Sequence, residues 1–320
     1  MTEDPRVSVV MCAYNGIGVI EQAVGDIFAQ EFDDWELVIS DDGSSDGTRD
    51  YLAGLNDPRV RVILRDSNVG YVRNKNAAIA AARGKYITQQ DQDDRTHPQR
   101  LSIMLDGLQR TDLAIAGCGY RTVGVDGQLL FETELDRETV IHGHDVTRPY
   151  PFWYPALLVR REVYAEIGLF EEFFAGAFGD DLYWTAKANA RYPILCLPDR
   201  LYDYVESVGS ITSLAGSNRK LIMGEVLDHL LQQRRQTGTD DLELGRVGRL
   251  EATFLSDREL LAGKLQVYAA RAIDQARWAD ASRLIRRAFY LSPMRPALAR
   301  TALYYCRAFL RECKSGFRNS

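Results

Sequence analysis

Three carboxylates, Asp91, Asp93 and Asp94, follow the β-rich run Tyr86-Ile87-Thr88-Gln89-Gln90 and crowd into what reads as one turn. Carboxylates this close repel one another and resist joint ionisation unless a cation sits among them, so they suggest a divalent metal site at a strand's C-terminal end. That is the chemistry of an enzyme that handles phosphates. Asp91 and Asp93 are two residues apart, and an extended backbone would aim both to one side, one towards a metal and the other towards a neighbouring hydroxyl. The plainer alternative is a solvated acidic turn that caps a helix beginning near His97-Pro98.

The elements that must hold this turn are legible in the rhythm of the first half, where short apolar runs alternate with amphipathic segments as in βαβ units. Strands are expected over 7–12, 36–40, 60–64 and 85–89, and helices over 18–30, 48–55, 71–83 and 98–110. The class is α/β with a mostly parallel sheet. Ligands of such sheets gather at the C-terminal ends of the strands, which here carry Ala13-Tyr14-Asn15-Gly16, the run from Asp41 to Gly47, and Asp91 to Asp94. From about residue 113 the pattern changes to longer β-like runs over 114–125 and 128–131, around the turn Asp126-Gly127. A strand-to-helix passage over 155–167 follows, closed by Gly168, then a helical segment over 182–190 behind Gly179-Asp180-Asp181, strands over 194–197 and 201–205, and a polar loop over 207–217. Beyond residue 218 the chain reads as helical, with a soft break at 236–239. Within it, 264–291 resembles a single tetratricopeptide-like hairpin, a packing element rather than an array. The expected domains are 1–216, with halves of about 1–112 and 113–216, and a helical extension over 217–320.

With 320 residues, 46% hydrophobic side chains and a net charge of −6, the chain has ordinary globular composition, which excludes wholesale disorder. No apolar stretch approaches the roughly 20 residues that span a bilayer, and Met1-Thr2-Glu3-Asp4-Pro5 has neither part of a signal peptide, so a cytoplasmic location is expected. The five cysteines are scattered singly and read as reduced, and the four histidines lack zinc-ligand spacing; His142-Gly143-His144 could pinch a metal, but reads more readily as a mobile polar loop. From Ser282 onward nine basic residues face Glu312 alone, a charge of +8 that leaves −14 on residues 1–281. A basic tail on an acidic body suggests an anionic partner: contact with the inner face of the membrane, through a tail that also bears Phe289, Tyr290, Tyr304, Tyr305 and Phe309, or simply a solvated basic face on a helical pack. No nucleic acid partner is expected.

Taken together, the segment from Val7 to Gly16, the run Glu36-Leu37-Val38-Ile39-Ser40-Asp41-Asp42-Gly43-Ser44-Ser45-Asp46-Gly47-Thr48, then Asn68-Val69-Gly70 and Asp91-Gln92-Asp93-Asp94, resemble family 2 glycosyltransferases. The motifs come in family order and cover roughly residues 7 to 212. The resemblance implies a GT-A fold, a nucleotide-sugar donor with a UDP-sugar favoured, a divalent metal (Mg²⁺ or Mn²⁺), inversion at the anomeric carbon, and a glycan or lipid-linked glycan acceptor in cell-surface polysaccharide or glycoconjugate synthesis.

The resemblance also assigns roles. Cys12, Ala13 and Tyr14 would border the nucleotide, Asp41 would accept from a ring N–H of the base, Asp91 would hold ribose, and Asp93, with Asp91 beside it, would take the metal. Arg73 or Lys75 would add a phosphate contact, or lie on an exposed helix face. The family's base is the aspartate of a Glu-Asp pair before a helix with a tryptophan a few residues on. Counting back from Leu197-Pro198 places Gly179-Asp180 on that pair with Trp184 in register, which makes Asp180 the base and Asp181 the fallback. The pair also suits the N-terminus of a helix. Two departures stand out: Gly179 replaces the glutamate, and Val205-Glu206-Ser207 stands where many relatives have an arginine and a histidine. The run Tyr150-Pro151-Phe152-Trp153-Tyr154, with Trp184, offers aromatic faces for an acceptor sugar, or for ordinary core packing. The other readings are a catalytically silent sugar-nucleotide-binding or scaffolding protein, and a sugar-nucleotide pyrophosphorylase, whose glycine-rich phosphate loop Ala13-Tyr14-Asn15-Gly16 does not supply.

Overall fold

Val7–Ala13 (β1) is an unbroken apolar run but for Ser8, and every one of its residues is buried, as expected of a strand covered on both faces. In the computed structural model, which describes residues 4–143, 152, 154–206 and 217–316, with side chains through 311, β1 lies inside a ten-stranded mixed sheet. The chain continues through Ile20–Phe28 (α1), Trp35–Asp41 (β2), Thr48–Ala53 (α2), Val60–Leu64 (β3), Tyr71–Ala81 (α3), Tyr86–Gln89 (β4), Arg95–Thr96 (β5) and Arg100–Thr111 (α4). Then come Ile115–Gly124 (β6), Leu129–Glu132 (β7), Thr139–Ile141 (β8), Leu157–Arg160 (β9), Arg161–Ile167 (α5), Asp180–Asn189 (α6) and Ile194–Glu206 (β10). Contacts divide the chain into two compact units, residues 1–176 with 180–210, and residues 177–179 with 211–320.

In the first unit the order is β3-β2-β1-β4-β9-β6-β10-β5, with β7 on β6 and β8 on β10. The βαβ rhythm yields parallel pairs of β1 with β2 and β4, and of β2 with β3. The expectation of a mostly parallel sheet stops at β4. Strand β9 inserts antiparallel between β4 and β6, and β5, β7 and β8 are antiparallel additions. The two strands expected over 194–197 and 201–205 are one, β10, parallel to β6 and shifted in register around Pro198. One apolar cluster, including Met11, Leu37, Leu105 and Leu197, covers one group of buried residues; a second gathers Val10, Ile79, Phe170 and Trp184.

Register fixes the functional edge. Ala13 pairs with Asp41, Asp42 N–H donates to Ala13 O at 2.8 Å, and Gln90 N–H donates to Val10 O at 3.0 Å, so three loops leave the sheet side by side.

The second unit contains Asn218–Thr237 (α7), Val247–Leu250 (α8), Arg258–Asp274 (α9), Trp278–Leu291 (α10) and Pro296–Gly316 (α11). The soft break is a helix end: α7 stops at Thr237 and Gly238 takes the left-handed conformation, φ 78°, that glycine accepts without strain. Helices α9 and α10 form the expected hairpin over small residues, Ala269, Ala272 and Ala281, with Trp278 set edge-on to Tyr305 and Phe309 of α11. No described helix is long and apolar enough to cross a membrane. Cys12, Cys118, Cys196 and Cys306 are free thiols.

Candidate active site

The acidic run is a true turn, because Asp94 N–H donates to Asp91 O at 3.3 Å. The extended geometry expected for Asp91 and Asp93 therefore does not hold; the chain turns as soon as β4 ends. Asp94 does not join the other two. It is buried, its Oδ2 accepts from Tyr202 Oη at 2.7 Å and its Oδ1 from Val205 N–H at 2.9 Å, and burial holds its carboxyl well above the usual range. Tyr202 also meets Asp91 N–H at 3.3 Å, so β10 fixes the turn from below.

Asp91 Oδ1 accepts from Gln89 Nε2 at 2.5 Å and Tyr71 Oη at 3.3 Å. Burial first, then the neighbouring charge of Asp93, pushes its carboxyl up to about 6. Asp93, raised mainly by desolvation, accepts from no side chain among the described residues. Of the three acids, then, only Asp91 and Asp93 present oxygens to the edge.

Gln92, between them, reaches back to the β1 loop, its Oε1 accepting from Tyr14 N–H at 3.0 Å and its Nε2 donating to Tyr14 O at 3.2 Å. A Cβ at Gly16 would run into that amide. The Tyr14 ring is left largely in solvent, 46% exposed, whereas Cys12 and Ala13 are buried. Desolvation raises the Cys12 thiol, which feels Lys75, Asp91, Asp42 and Asp180.

Asp41 is fully buried and holds its own turn. Oδ2 accepts from Gly43 N–H at 3.2 Å and Ser44 N–H at 3.1 Å, Oδ1 from the Ser44 hydroxyl, and Arg49 Nη1 stands 3.4 Å from Oδ2. The lone pair left for an N–H of a base is the second one on Oδ1, beside the Ser44 hydroxyl. Asp42 binds the next loop, accepting from Val69 N–H at 2.8 Å and Gly70 N–H at 2.9 Å.

Asp180 is the first residue of α6, within the helix rather than ahead of it. Its Oδ2 lies 2.5 Å from Lys75 Nζ of α3, and both side chains are buried. The alternative of an exposed helix face for Lys75 is thereby corrected. Arg73, two residues earlier, does lie outside, paired with Glu172 at 2.8 Å. Asp181 is raised to about 6 by burial and by Asp180, with Lys75 opposing. Trp184 is 1% exposed, donates Nε1–H to Gly168 O at 2.8 Å and stacks on Tyr164 and Phe170. Tyr154 is also buried, its hydroxyl 2.7 Å from that of Tyr164. Both rings are thus core rather than acceptor platform, corrected because their area is taken up by apolar neighbours. Trp153 lies outside the described residues.

The chain matches the family model for glycosyl transferase family 2 over residues 8–167, half of its length. The chain belongs to glycosyl transferase family 2. Among curated relatives, it is 39% identical over 136 residues to succinoglycan biosynthesis protein ExoO of Rhizobium meliloti (strain 1021), covering 42% of this chain and 39% of that one. The putative teichuronic acid biosynthesis glycosyltransferase TuaG of Bacillus subtilis (strain 168) is 34% identical over 135 residues, 42% of this chain and 52% of that one. The chain therefore spans about two fifths to half the length of these two relatives. In fold it is similar to S. aureus TarS 1–349 in complex with UDP-GlcNAc, with a TM-score of 0.64 at 18% identity over 98% of this chain and 92% of that one, which makes the first unit a GT-A fold accompanied by C-terminal helices.

Within the family frame, the first departure has a local reason. Gly179 has φ 102°, a left-handed backbone that favours glycine and would strain a glutamate. Val205, in the place of the arginine and histidine, uses its backbone N–H to hold Asp94. Among the described residues no three His, Cys, Asp or Glu side chains converge on a metal-sized site. Asp91 and Asp93 alone fit a cation that takes one or two carboxylates and completes its shell with phosphate oxygens and water.

Proposed function

We propose that this chain is an inverting glycosyltransferase that moves a sugar from a nucleotide-sugar, a UDP-sugar by preference, to a glycan or lipid-linked glycan in cell-surface polysaccharide synthesis. One observation carries it. Tyr71 and Lys75, one turn apart on α3, reach Asp91 and Asp180 respectively, so the acidic turn and the candidate base are both tied to a single turn of one helix. The names of the relatives, and the UDP-GlcNAc held by TarS, support the donor class and the pathway.

In this reading, Tyr14 borders the base, Asp91 takes ribose, and Asp93, with Asp91, would hold the Mg²⁺ or Mn²⁺ that neutralises the diphosphate. The ion, when bound, offsets the charge that builds on the leaving diphosphate. Asp180 accepts the acceptor hydroxyl's proton while that oxygen bonds to the anomeric carbon and the carbon–phosphate-oxygen bond breaks, its electron pair leaving with the nucleotide. The face of attack is opposite the leaving group, hence inversion. The test is a panel of UDP-, GDP- and dTDP-sugars with Mn²⁺, read by hydrolysis and thermal stabilisation. Stabilisation by one nucleotide class, with turnover that Asp180→Asn abolishes while donor binding survives, supports the proposal. Absence of stabilisation by any member overturns it.

We further propose that the second unit rests on anionic lipid. On α11, exposed Leu303 and Leu310 run beside exposed Arg300, Arg307 and Arg311, and Tyr290 and Met294 are exposed nearby in sequence. Each basic residue near such a surface contributes about 1 kcal/mol. Co-sedimentation with liposomes that is indifferent to anionic lipid would remove this part.

A further inference from the structure

Lys75 is 1% exposed, and burying an ammonium is costly unless a counter-charge and polar or aromatic faces meet it. Both are present. Nζ lies 2.5 Å from Asp180 Oδ2, 3.7 Å from the ring centre of Phe170, 4.8 Å from that of Tyr71 and 5.1 Å from that of Tyr154. Arginine or lysine over an aromatic face is attracted by the ring's quadrupole, so three faces and one carboxylate oxygen define where the ammonium sits.

The cage is itself held. Asn76, the next residue on α3, donates Nδ2–H to Phe170 O at 2.8 Å and accepts Phe170 N–H on Oδ1 at 3.0 Å. Trp184 of α6 stacks against the same Phe170 ring at 5.6 Å between centres. So α6 is tied to α3 both through Asp180 and through the ring that covers Lys75. Asp180 Oδ1, by contrast, accepts no hydrogen bond from the described residues. Oδ2 is fixed and Oδ1 is available.

Resting on the reading of Asp180 as the base, we propose that Lys75 is its positioning residue: the caged ammonium pins Oδ2 and thereby presents Oδ1 to the acceptor hydroxyl. Lys75 then touches neither sugar nor diphosphate, in contrast to a phosphate-binding lysine. Removing it should cost turnover and leave the donor site intact, since a misplaced catalytic group lowers the rate without altering remote contacts.

The experiment is a double-mutant cycle in the full chain with a donor and acceptor for which the wild type turns over. Lys75→Met keeps the stem inside the cage without the charge. It is expected to lower kcat on the order of 100-fold with donor KM within about threefold. Combined with Asp180→Asn it should add almost nothing to the loss caused by Asp180→Asn alone, because the pair acts as a unit. The paired variant also removes both buried charges, and its melting temperature and UDP binding report that the fold stands. If Lys75→Met alone does not fold, the same cycle is read with Lys75→Gln, whose amide fits the cage. A raised donor KM with unaltered kcat would make Lys75 a phosphate ligand and overturn the proposal, as would losses that add across the cycle. Unchanged turnover in Asp180→Asn alone would instead reject the base assignment, and so separates the two failures.

Discussion

Gln92 clasps the backbone of Tyr14 from both sides, accepting its N–H at 3.0 Å and donating to its carbonyl at 3.2 Å. The loop after β1 and the acidic turn after β4 leave neighbouring parallel strands, so their loops stand side by side at the C-terminal edge, and this one side chain locks them together. The lock places the Tyr14 ring relative to Asp91 and Asp93.

Gln92→Ala should loosen the donor site without unfolding the sheet. Two partly exposed hydrogen bonds of about 1 kcal/mol each convert to roughly a thirtyfold rise in donor KM, since about 1.4 kcal/mol is a factor of ten. The melting temperature should move by no more than a few degrees, on the order expected for a surface change. Gly16→Ala, which drives a Cβ into the same amide, should raise donor KM in the same direction. Kinetics with donor varied, alongside a thermal melt, checks both; a lowered kcat with unaltered KM would place Gln92 elsewhere in the mechanism.

The acidic turn predicts a pH dependence with a definite sign. Burial, then Asp93, pushes Asp91 up to about 6, and burial, then Asp180, pushes Asp181 up to about 6. A carboxyl whose folded pKa exceeds its unfolded one contributes most stability below the unfolded value, and that contribution is lost as pH rises through the folded value. The ligand-free protein should therefore lose melting temperature between about pH 4 and about pH 6 from these groups, and then level off. Binding of Mn²⁺ with UDP needs the ionised turn, so the stabilisation it brings should be larger at about pH 8 than at about pH 5. Asp93→Ala should remove the metal-dependent part. Equal increments at both pH values, measured by scanning fluorimetry, would contradict the metal reading of this turn.

Much of the frame was legible from sequence because β1, β2 and β4 are short runs buried along their whole length, and the helices between them keep an apolar face. The site was legible only where chemistry shows in neighbours, as with Asp91 to Asp94. Lys75 was not, because the run Arg73-Asn74-Lys75-Asn76 reads as a solvated helix face. Burial of Asn74 and Lys75 depends on Ser40 and Asp180, which lie 34 and 105 residues away and leave no local trace. The direction of β9 was hidden for a related reason: Leu157, Leu158 and Val159 announce a strand but not which way it runs, and only the neighbours β4 and β6 decide that it is antiparallel.

Trp184 offers a clean distinction between packing and sugar contact. Its indole is enclosed by Tyr154, Tyr164 and Phe170 and anchored to Gly168 O, so Trp184→Ala should cost about 3–5 kcal/mol of stability, as large core truncations do. Trp184→Phe should cost less and leave acceptor KM unchanged. Urea unfolding and acceptor kinetics on the second variant decide the matter, for a raised acceptor KM at undiminished stability would return the ring to the acceptor.

Arg100 makes the strongest stability prediction because it is a buried cation held by neutral acceptors alone. Its guanidinium donates to Thr88 Oγ1 at 2.5 Å, Gln89 O at 2.7 Å, Gln90 Oε1 at 3.1 Å, Thr96 Oγ1 at 3.3 Å and Pro155 O at 2.5 Å. These belong to β4, the turn after it, β5 and Pro155, two residues before β9, so a side chain on α4 joins the segments that carry the acidic turn. Burial lowers its pKa, with nearby Asp94 and Asp91 among the groups that oppose the shift. Arg100→Met fills similar volume but leaves five acceptors to find other donors inside the core, and removes the positive charge that Asp91 and Asp94 feel. Loss of one partner from a buried charged network costs about 3–5 kcal/mol, so the urea midpoint should fall by that equivalent, and UDP with Mn²⁺ should recover only part of it. A fall of less than about 1 kcal/mol would mean that water or a local shift satisfies those acceptors, and that α4 does not support the turn through this residue.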